Sequence, residues 1–227
     1  MDSFQVIYED NHLIAVNKQP GILVQGDQTG DMPLSEMVKE YIRTKYQKPG
    51  NVFCGVIHRL DRPVSGLVVL ARTSKGLERM AKLFKDRKVE KTYWALVKER
   101  PEQDSDTLVH WLIKDKEKNI TKAFSKPNKE ALRSELKYTI KAKVNKYFLL
   151  EIEPLTGRPH QIRVQLAKIG CPIKGDIKYG YPERNKDGSI HLHARKLSFV
   201  HPIKNDITTI IARLPNDQVW RDFGHLS

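Results

Sequence analysis

Short-period alternation of apolar and polar positions runs through much of the chain, with three stretches of helical spacing set into it. Val6-Ile7-Tyr8 and Leu13-Ile14-Ala15-Val16 flank the turn formers Asp10 and Asn11, which predicts two short strands. Lys18, Pro20 and Gly21 end the second, and Ile22-Leu23-Val24 resumes an extended path. Leu34, Met37, Val38, Tyr41 and Ile42 recur at helical spacing, with Asp31 and Pro33 as start signals. The apolar run Gly66-Leu67-Val68-Val69-Leu70-Ala71 reads as a buried strand, and Ser74 as the N-cap of a second helix carrying Leu77, Met80, Ala81 and Phe84 on one face. Strands are expected at residues 92–98, 136–140, 147–152, 191–200 and 207–212, and a polar hairpin or loop at 114–129. A third helix follows Gly157, with Pro159 at its first position and Gly170 as its stop. Regular βαβ alternation is missing. The fold class is therefore α+β, a mixed and mostly antiparallel sheet with flanking helices, in a single domain over 1–227.

Composition narrows the setting. With 39% apolar residues the chain can build a core. The charge is lopsided: 40 Lys plus Arg against 27 Asp plus Glu give +13. Such an excess attracts phosphate backbones by releasing condensed counterions, although a basic protein need not bind nucleic acid. Cys54 and Cys171 lie far apart with no metal-type spacing, which fits a reduced, intracellular and cytoplasmic protein. The opening Met1-Asp2-Ser3-Phe4 has no leader character, and no apolar run is long enough to span a bilayer.

Three stretches could carry chemistry. In Ile57-His58-Arg59-Leu60-Asp61-Arg62-Pro63-Val64-Ser65-Gly66 a carboxylate sits between two arginines just before a buried strand. Neighbouring cations hold an Asp ionised, as a nucleophile or base requires, but an Arg–Asp pair also serves simply to fix a loop. Gly157-Arg158-Pro159-His160-Gln161-Ile162-Arg163 puts two arginines around a helix start, suited to anions or to nothing in particular. Lys91-Thr92-Tyr93-Trp94-Ala95 is an alternating strand whose Tyr93 could equally be half-buried core. No Gly-rich phosphate loop and no His/Asp ligand cluster occurs, so neither cofactor nor metal is expected.

Together these stretches resemble the RluA-type pseudouridine synthases across nearly the whole chain. His58-Arg59-Leu60-Asp61-Arg62 with Ser65-Gly66 is similar to the family's catalytic loop, Lys91-Thr92-Tyr93 to its tyrosine strand, and Gly157-Arg158 with His160-Gln161-Ile162-Arg163 to its basic motif. Gly175-Asp176 with Tyr179-Gly180, and Leu192-His193-Ala194 with His201-Pro202, follow in the family's order. Val64 stands where threonine is usual, and Pro159 where threonine or serine is usual. The S4-type N-terminal RNA-binding domain common among relatives is not expected here.

The resemblance implies an isomerase that converts uridine to pseudouridine in structured RNA, without cofactor or obligate protein partner and as a monomer. Ribosomal RNA (23S) is the first expectation for the substrate and transfer RNA the alternative; a non-catalytic RNA-binding protein is the rival reading. Asp61 would attack the uridine or remove a sugar proton, Arg163 would keep Asp61 anionic, and Tyr93 would pack on the flipped base and help remove the final proton. A base must leave its stack to be reached, and the planar guanidinium of Arg59 would fill the gap or clamp the flipped nucleotide. His58, Arg62, Arg158 and His160 are assigned to loop bracing or phosphate contact.

Overall fold

A computed structural model of the chain describes residues 3–226, so the Met1-Asp2 part of the opening lies outside them. Its contacts fall into two units, each assembled from separated pieces of chain. One holds the residues up to Glu90 together with Ala194–Pro215; the other holds Lys91–His193 and the residues from Asn216 on.

In the first unit β1 (Phe4–Glu9) pairs antiparallel with β2 (Leu13–Lys18), and β2 with β4 (Ser65–Ala71). The two-residue β3 (Gly55–Val56) pairs with Ala71 and Leu70 of β4. Residues 194–200, the later part of β10 (Leu192–Val200), follow beside β4, and β11 (Ile207–Ile211) closes this side antiparallel to β10. Every position of β2 and β4 is buried, which is why Leu13–Val16 and Leu67–Ala71 read as continuous apolar runs rather than alternating ones. α1 (Leu34–Lys45) buries Leu34, Val38 and Ile42, and α2 (Ser74–Lys85) buries Met80 while packing on β4 and β3.

Gly66 shows how tightly β4 is seated. Its φ is +110°, and a Cβ there would lie 2.4 Å from the Ala194 carbonyl oxygen and 2.6 Å from its nitrogen. Only glycine fits both the conformation and the approach.

The second unit is a chain of antiparallel strands in the order β5, β9, β8, β6, β7: β5 (Glu90–Val97), β6 (Ser105–Asp115), β7 (Ile120–Phe124), β8 (Leu132–Val144) and β9 (Tyr147–Pro154). α3 (Gln161–Lys168) packs on β6, β7 and the 3-10 turn Ile177–Tyr179, with six successive buried residues from Gln161 to Leu166. α4 (Gln218–Arg221) seats Trp220 against His191, 5.5 Å between ring centroids.

The α+β class and the dominance of antiparallel pairing agree with the sequence reading. Four local details differ from the sequence reading or refine it. Thr73, not Ser74, caps α2: it is extended, and its hydroxyl accepts the Gly76 N–H at 3.1 Å. Asp31 does not cap α1, because its carboxylate is taken by Arg62; the N-cap is Pro33, with no side-chain bond. Residues 22–24 join no strand, since the Leu23 and Val24 carbonyls accept from Leu34 and Ser35 at the start of α1. α3 begins at Gln161, two residues after Pro159, because the left-handed His160 (φ +55°) separates the preceding turn from the helix.

Candidate active site

In the first unit the segment between β3 and β4 is a braced loop. The Val64 N–H donates to the Asp61 carbonyl at 3.0 Å, closing a four-residue turn that begins at Asp61. His58 anchors the loop's upstream end: β3 stops pairing after Leu70, and the His58 Nε2 then accepts the Val69 N–H at 3.0 Å while the ring stacks on Phe84 at 4.8 Å. That acceptor role puts the ring's proton on Nδ1.

Arg62 anchors the downstream end. Its Nε donates to the Gly21 carbonyl at 2.9 Å and its Nη2 to Asp31 at 2.6 Å, while its own carbonyl accepts from the Gly21 N–H at 2.8 Å. The Lys18 ammonium reaches the same carbonyl at 3.2 Å. Arg62 thus binds protein at four points. Arg59 is exposed and makes no side-chain hydrogen bond or ion pair among the described residues. Asp61 itself is half-buried.

The sequence reading missed Lys18. It closes β2, is fully buried, and donates to the Gln19 carbonyl at 3.0 Å as well as to Arg62. Burial pushes its ammonium down to about 7; Asp61 pulls in the opposite direction and Arg62 reinforces burial. The available signal was a lysine at the end of an otherwise buried strand.

In the second unit Arg163 projects from α3 into a buried bidentate pair. Its Nε and Nη2 donate to the two Asp176 carboxylate oxygens at 2.7 and 2.9 Å, with side-chain exposures of 5% and 1%. The guanidinium also lies over the Tyr179 ring, 5.0 Å from its centroid. Tyr179 carries the arrangement onward: its hydroxyl accepts the Thr121 N–H at 2.9 Å and meets His160 Nδ1 at 2.6 Å. Lys114 Nζ lies 3.3 Å from His160 Nε2. A lysine ammonium can only donate, so Nε2 accepts and Nδ1–H donates to Tyr179. Burial raises the Tyr179 phenol above its ordinary range, against the opposing pull of the Thr121 N–H and Arg163.

The turn before α3 is held by Gln161. Its Oε1 accepts from the Thr156 hydroxyl at 2.7 Å and the Arg158 N–H at 2.9 Å, and its Nε2 donates to the Glu135 carbonyl at 3.0 Å. Arg158 Nε is buried without a hydrogen-bond partner among the described residues. Tyr93 stands half-buried in β5, opposite Ile152 of β9.

His58, Arg59, Asp61 and Arg62 therefore belong to one unit, and Tyr93, Arg158, His160 and Arg163 to the other. Asp176 and Tyr179, quoted from the sequence only as part of a motif, prove to be the groups that seat Arg163. Among the described residues no group of three His, Cys, Asp or Glu side chains could hold a metal ion, and no helix is long and apolar enough to cross a membrane.

The chain matches known proteins along most of its length. The family described as RNA pseudouridylate synthase matches residues 12–168, a span that takes in Lys18, Asp61, Tyr93 and Arg163. The chain is 33% identical to the tRNA pseudouridine synthase C of Vibrio cholerae, covering 96% of this chain and 93% of that protein. It is also 33% identical to the ribosomal large subunit pseudouridine synthase C of Buchnera aphidicola, covering 94% of this chain and 68% of that protein. Among solved structures, human RNA pseudouridylate synthase domain containing 4 superimposes with a TM-score of 0.79 at 22% identity, covering 97% of this chain and 91% of that one, a likeness of fold.

Proposed function

The chain belongs to the RNA pseudouridylate synthase family and is an enzyme that isomerises uridine in RNA, and on that premise we propose that Asp61 is the residue that starts the reaction. The observation that carries this assignment is the build of its loop. His58 and Arg62 brace the two sides of Asp61 by bonds to protein, and Lys18 holds the peptide that follows it. A carboxylate held in place among cations can act on the nucleotide without first being reorganised.

Asp61 acts on the target nucleotide, the base detaches and turns, and it rejoins the sugar through carbon. Arg163, aligned by Asp176 and Tyr179, favours the Asp61 anion. Tyr93 packs on the displaced base and takes part in removing the proton from the new bond's carbon. Arg59, exposed and uncommitted, occupies the gap left by the base or clamps the nucleotide. His58, Arg62 and His160 act as braces, whereas Arg158, with its unpartnered Nε, contacts RNA phosphate.

The RNA is structured, and transfer RNA is the reading best supported: the relatives matched along 92–93% of their length are named for tRNA. Ribosomal RNA is the second reading, supported by equal identity to a relative named for the large subunit. The enzyme works in the cytoplasm, as a monomer.

The test of the assignment is Asp61→Asn, which keeps shape and removes charge. The variant should melt like the parent and form no pseudouridine over many turnovers; multiple-turnover product from the purified variant refutes the assignment. Carbodiimide mapping of cellular tRNA and rRNA, with and without the gene, identifies the substrate: a uridine lost as a modified site in tRNA supports the first reading, and one lost in rRNA the second.

A further inference from the structure

We propose that Asn185 is a positioning residue for Arg163, an amide that wedges the Gly175-Asp176 peptide so that the Asp176 carboxylate meets the guanidinium with both oxygens. This rests on the reading of Arg163 as a group that acts on the reacting residue.

Residues 182–187 form an exposed polar loop in which Asn185 alone turns inward. Its side chain lies against Gly175, the residue directly before Asp176. A Cβ on Gly175 would stand 2.4 Å from Asn185 Nδ2 and 2.7 Å from its Cγ. Gly175 has φ +84°, so the chain turns here through the left-handed region, and the amide fills the space that any larger residue would need. The direction in which Asp176 leaves this turn decides whether its oxygens line up with Arg163 Nε and Nη2, which they meet at 2.7 and 2.9 Å. Upstream of Gly175 the main chain is already fixed, since the Lys174 N–H donates to the Leu96 carbonyl at 2.9 Å and the Lys174 carbonyl accepts the His191 N–H at 2.9 Å.

The amide cannot swing away from this place. Lys174 Nζ donates to Asn185 Oδ1 at 2.6 Å, and because an ammonium can only donate, this settles which end of the amide is oxygen. Nδ2 then spends its hydrogens on the Ser189 carbonyl at 2.9 Å and on His191 Nδ1 at 3.0 Å. With Nδ1 accepting, the His191 proton sits on Nε2 and faces the Asp217 carboxylate at 3.4 Å. Asp217 accepts the Val219 and Trp220 N–H groups at 2.9 and 3.0 Å as the cap of α4, and Trp220 stacks on the same histidine. The row Lys174, Asn185, His191, Asp217 thus runs from a cation to an anion with every donor pointing the same way, an arrangement that holds the amide on Gly175. A loop that served only to join Tyr181 to Ser189 would need no inward amide with its hydrogens committed.

Variants of the full chain test this. Asn185→Ala removes the amide, and Asn185→Asp keeps its size and its bond to Lys174 while losing the N–H donors. In each, kcat should fall about tenfold or more, because misplacement by about 1 Å costs up to about a hundredfold, and KM for RNA should change less than about twofold. The NMR signal of the Arg163 Nε–H reads the geometry without turnover: it should shift, and exchange with water about tenfold faster or more, in both variants. Added to Asp176→Asn, Asn185→Ala should cost less than about twofold more in kcat, since the group it positions is already impaired. A parent-like kcat or a parent-like Arg163 Nε–H signal in Asn185→Ala, whatever its melting point, overturns the proposal, and so does a further loss of about tenfold on top of Asp176→Asn. Undiminished turnover by Arg163→Met would instead remove the reading on which the proposal rests.

Discussion

Replacing Asp176 by Asn takes one negative charge out of a buried pair and leaves the Arg163 guanidinium in place facing an amide. The parent pair has two charge-assisted bonds of 2.7 and 2.9 Å, with the partners only 5% and 1% exposed, so water cannot take over the lost acceptor. Leaving one member of such a pair uncompensated costs about 3–5 kcal/mol. The amide oxygen restores one bond to a charged donor, so a net loss of about 3 kcal/mol is expected. At about 2–4 °C per kcal/mol for a chain of this size, the melting temperature should fall by about 6–12 °C. Thermal melts by circular dichroism, with urea titration as a second probe, read this directly. Arg163→Met completes the cycle. It strands Asp176 in the same way, whereas the double variant removes both charges and should cost clearly less than the sum of the two single changes. A melting point for Asp176→Asn within about 2 °C of the parent, or strict additivity in the cycle, would show that the pair is not the buried, mutually dependent unit described.

Three further outcomes are expected. Arg59→Ala should leave the melting point unchanged, since the side chain bonds to nothing among the described residues. It should slow isomerisation in a base-paired stem-loop more than in RNA whose target uridine is already unstacked, and equal slowing in the two substrates counts against a role in base extrusion. Gly66→Ala should destabilise the first unit by about 4 kcal/mol or more, because φ is +110° and the new Cβ would meet Ala194 backbone; normal expression and melting would contradict the geometry. The Asp10 carboxyl is held well below the usual range by Lys204 and by the His12 and Leu13 N–H groups, which together outweigh burial. A carboxyl depressed in the folded state adds stability above its unfolded pKa of about 4 and loses it as pH falls toward the folded value. Melts between about pH 4 and 2 should therefore decline less steeply for Asp10→Asn than for the parent, and parallel curves would refute this.

Strands whose environment is uniform were legible in the sequence. β2 and β4 are buried throughout and show the apolar runs Leu13–Val16 and Leu67–Ala71, and α1 shows its inward face at helical spacing. β6 escaped notice because its first three positions are exposed and its burial alternates only from Leu108 onward. The helix starts moved by one or two residues because caps are set by backbone conformation: Thr73 is extended and can cap, whereas His160 is left-handed and defers α3 to Gln161. Of the candidate site residues, Asp61, Tyr93 and Arg163 were picked out as residue types within recognisable stretches. Their supports were harder to find, because Asp176 lies thirteen positions from Arg163 and Lys18 reaches forty-four positions along the chain to Arg62. Local patterns record which face a residue occupies, and they do not record which distant carbonyl or carboxylate it meets.

The interleaved make-up of the two units bears on the order in which the protein can be built. β4 is complete once residue 71 has been synthesised, yet the strand beside it arrives with residues 194–200. At about 5–20 residues per second, a buried and mostly apolar strand waits roughly 6–25 seconds for its neighbour while translation continues. The other unit waits too, since Trp220, which covers His191, is made after almost everything it packs on. Neither unit can be finished as a nascent fragment, so the emerging chain carries an open sheet edge through much of its synthesis.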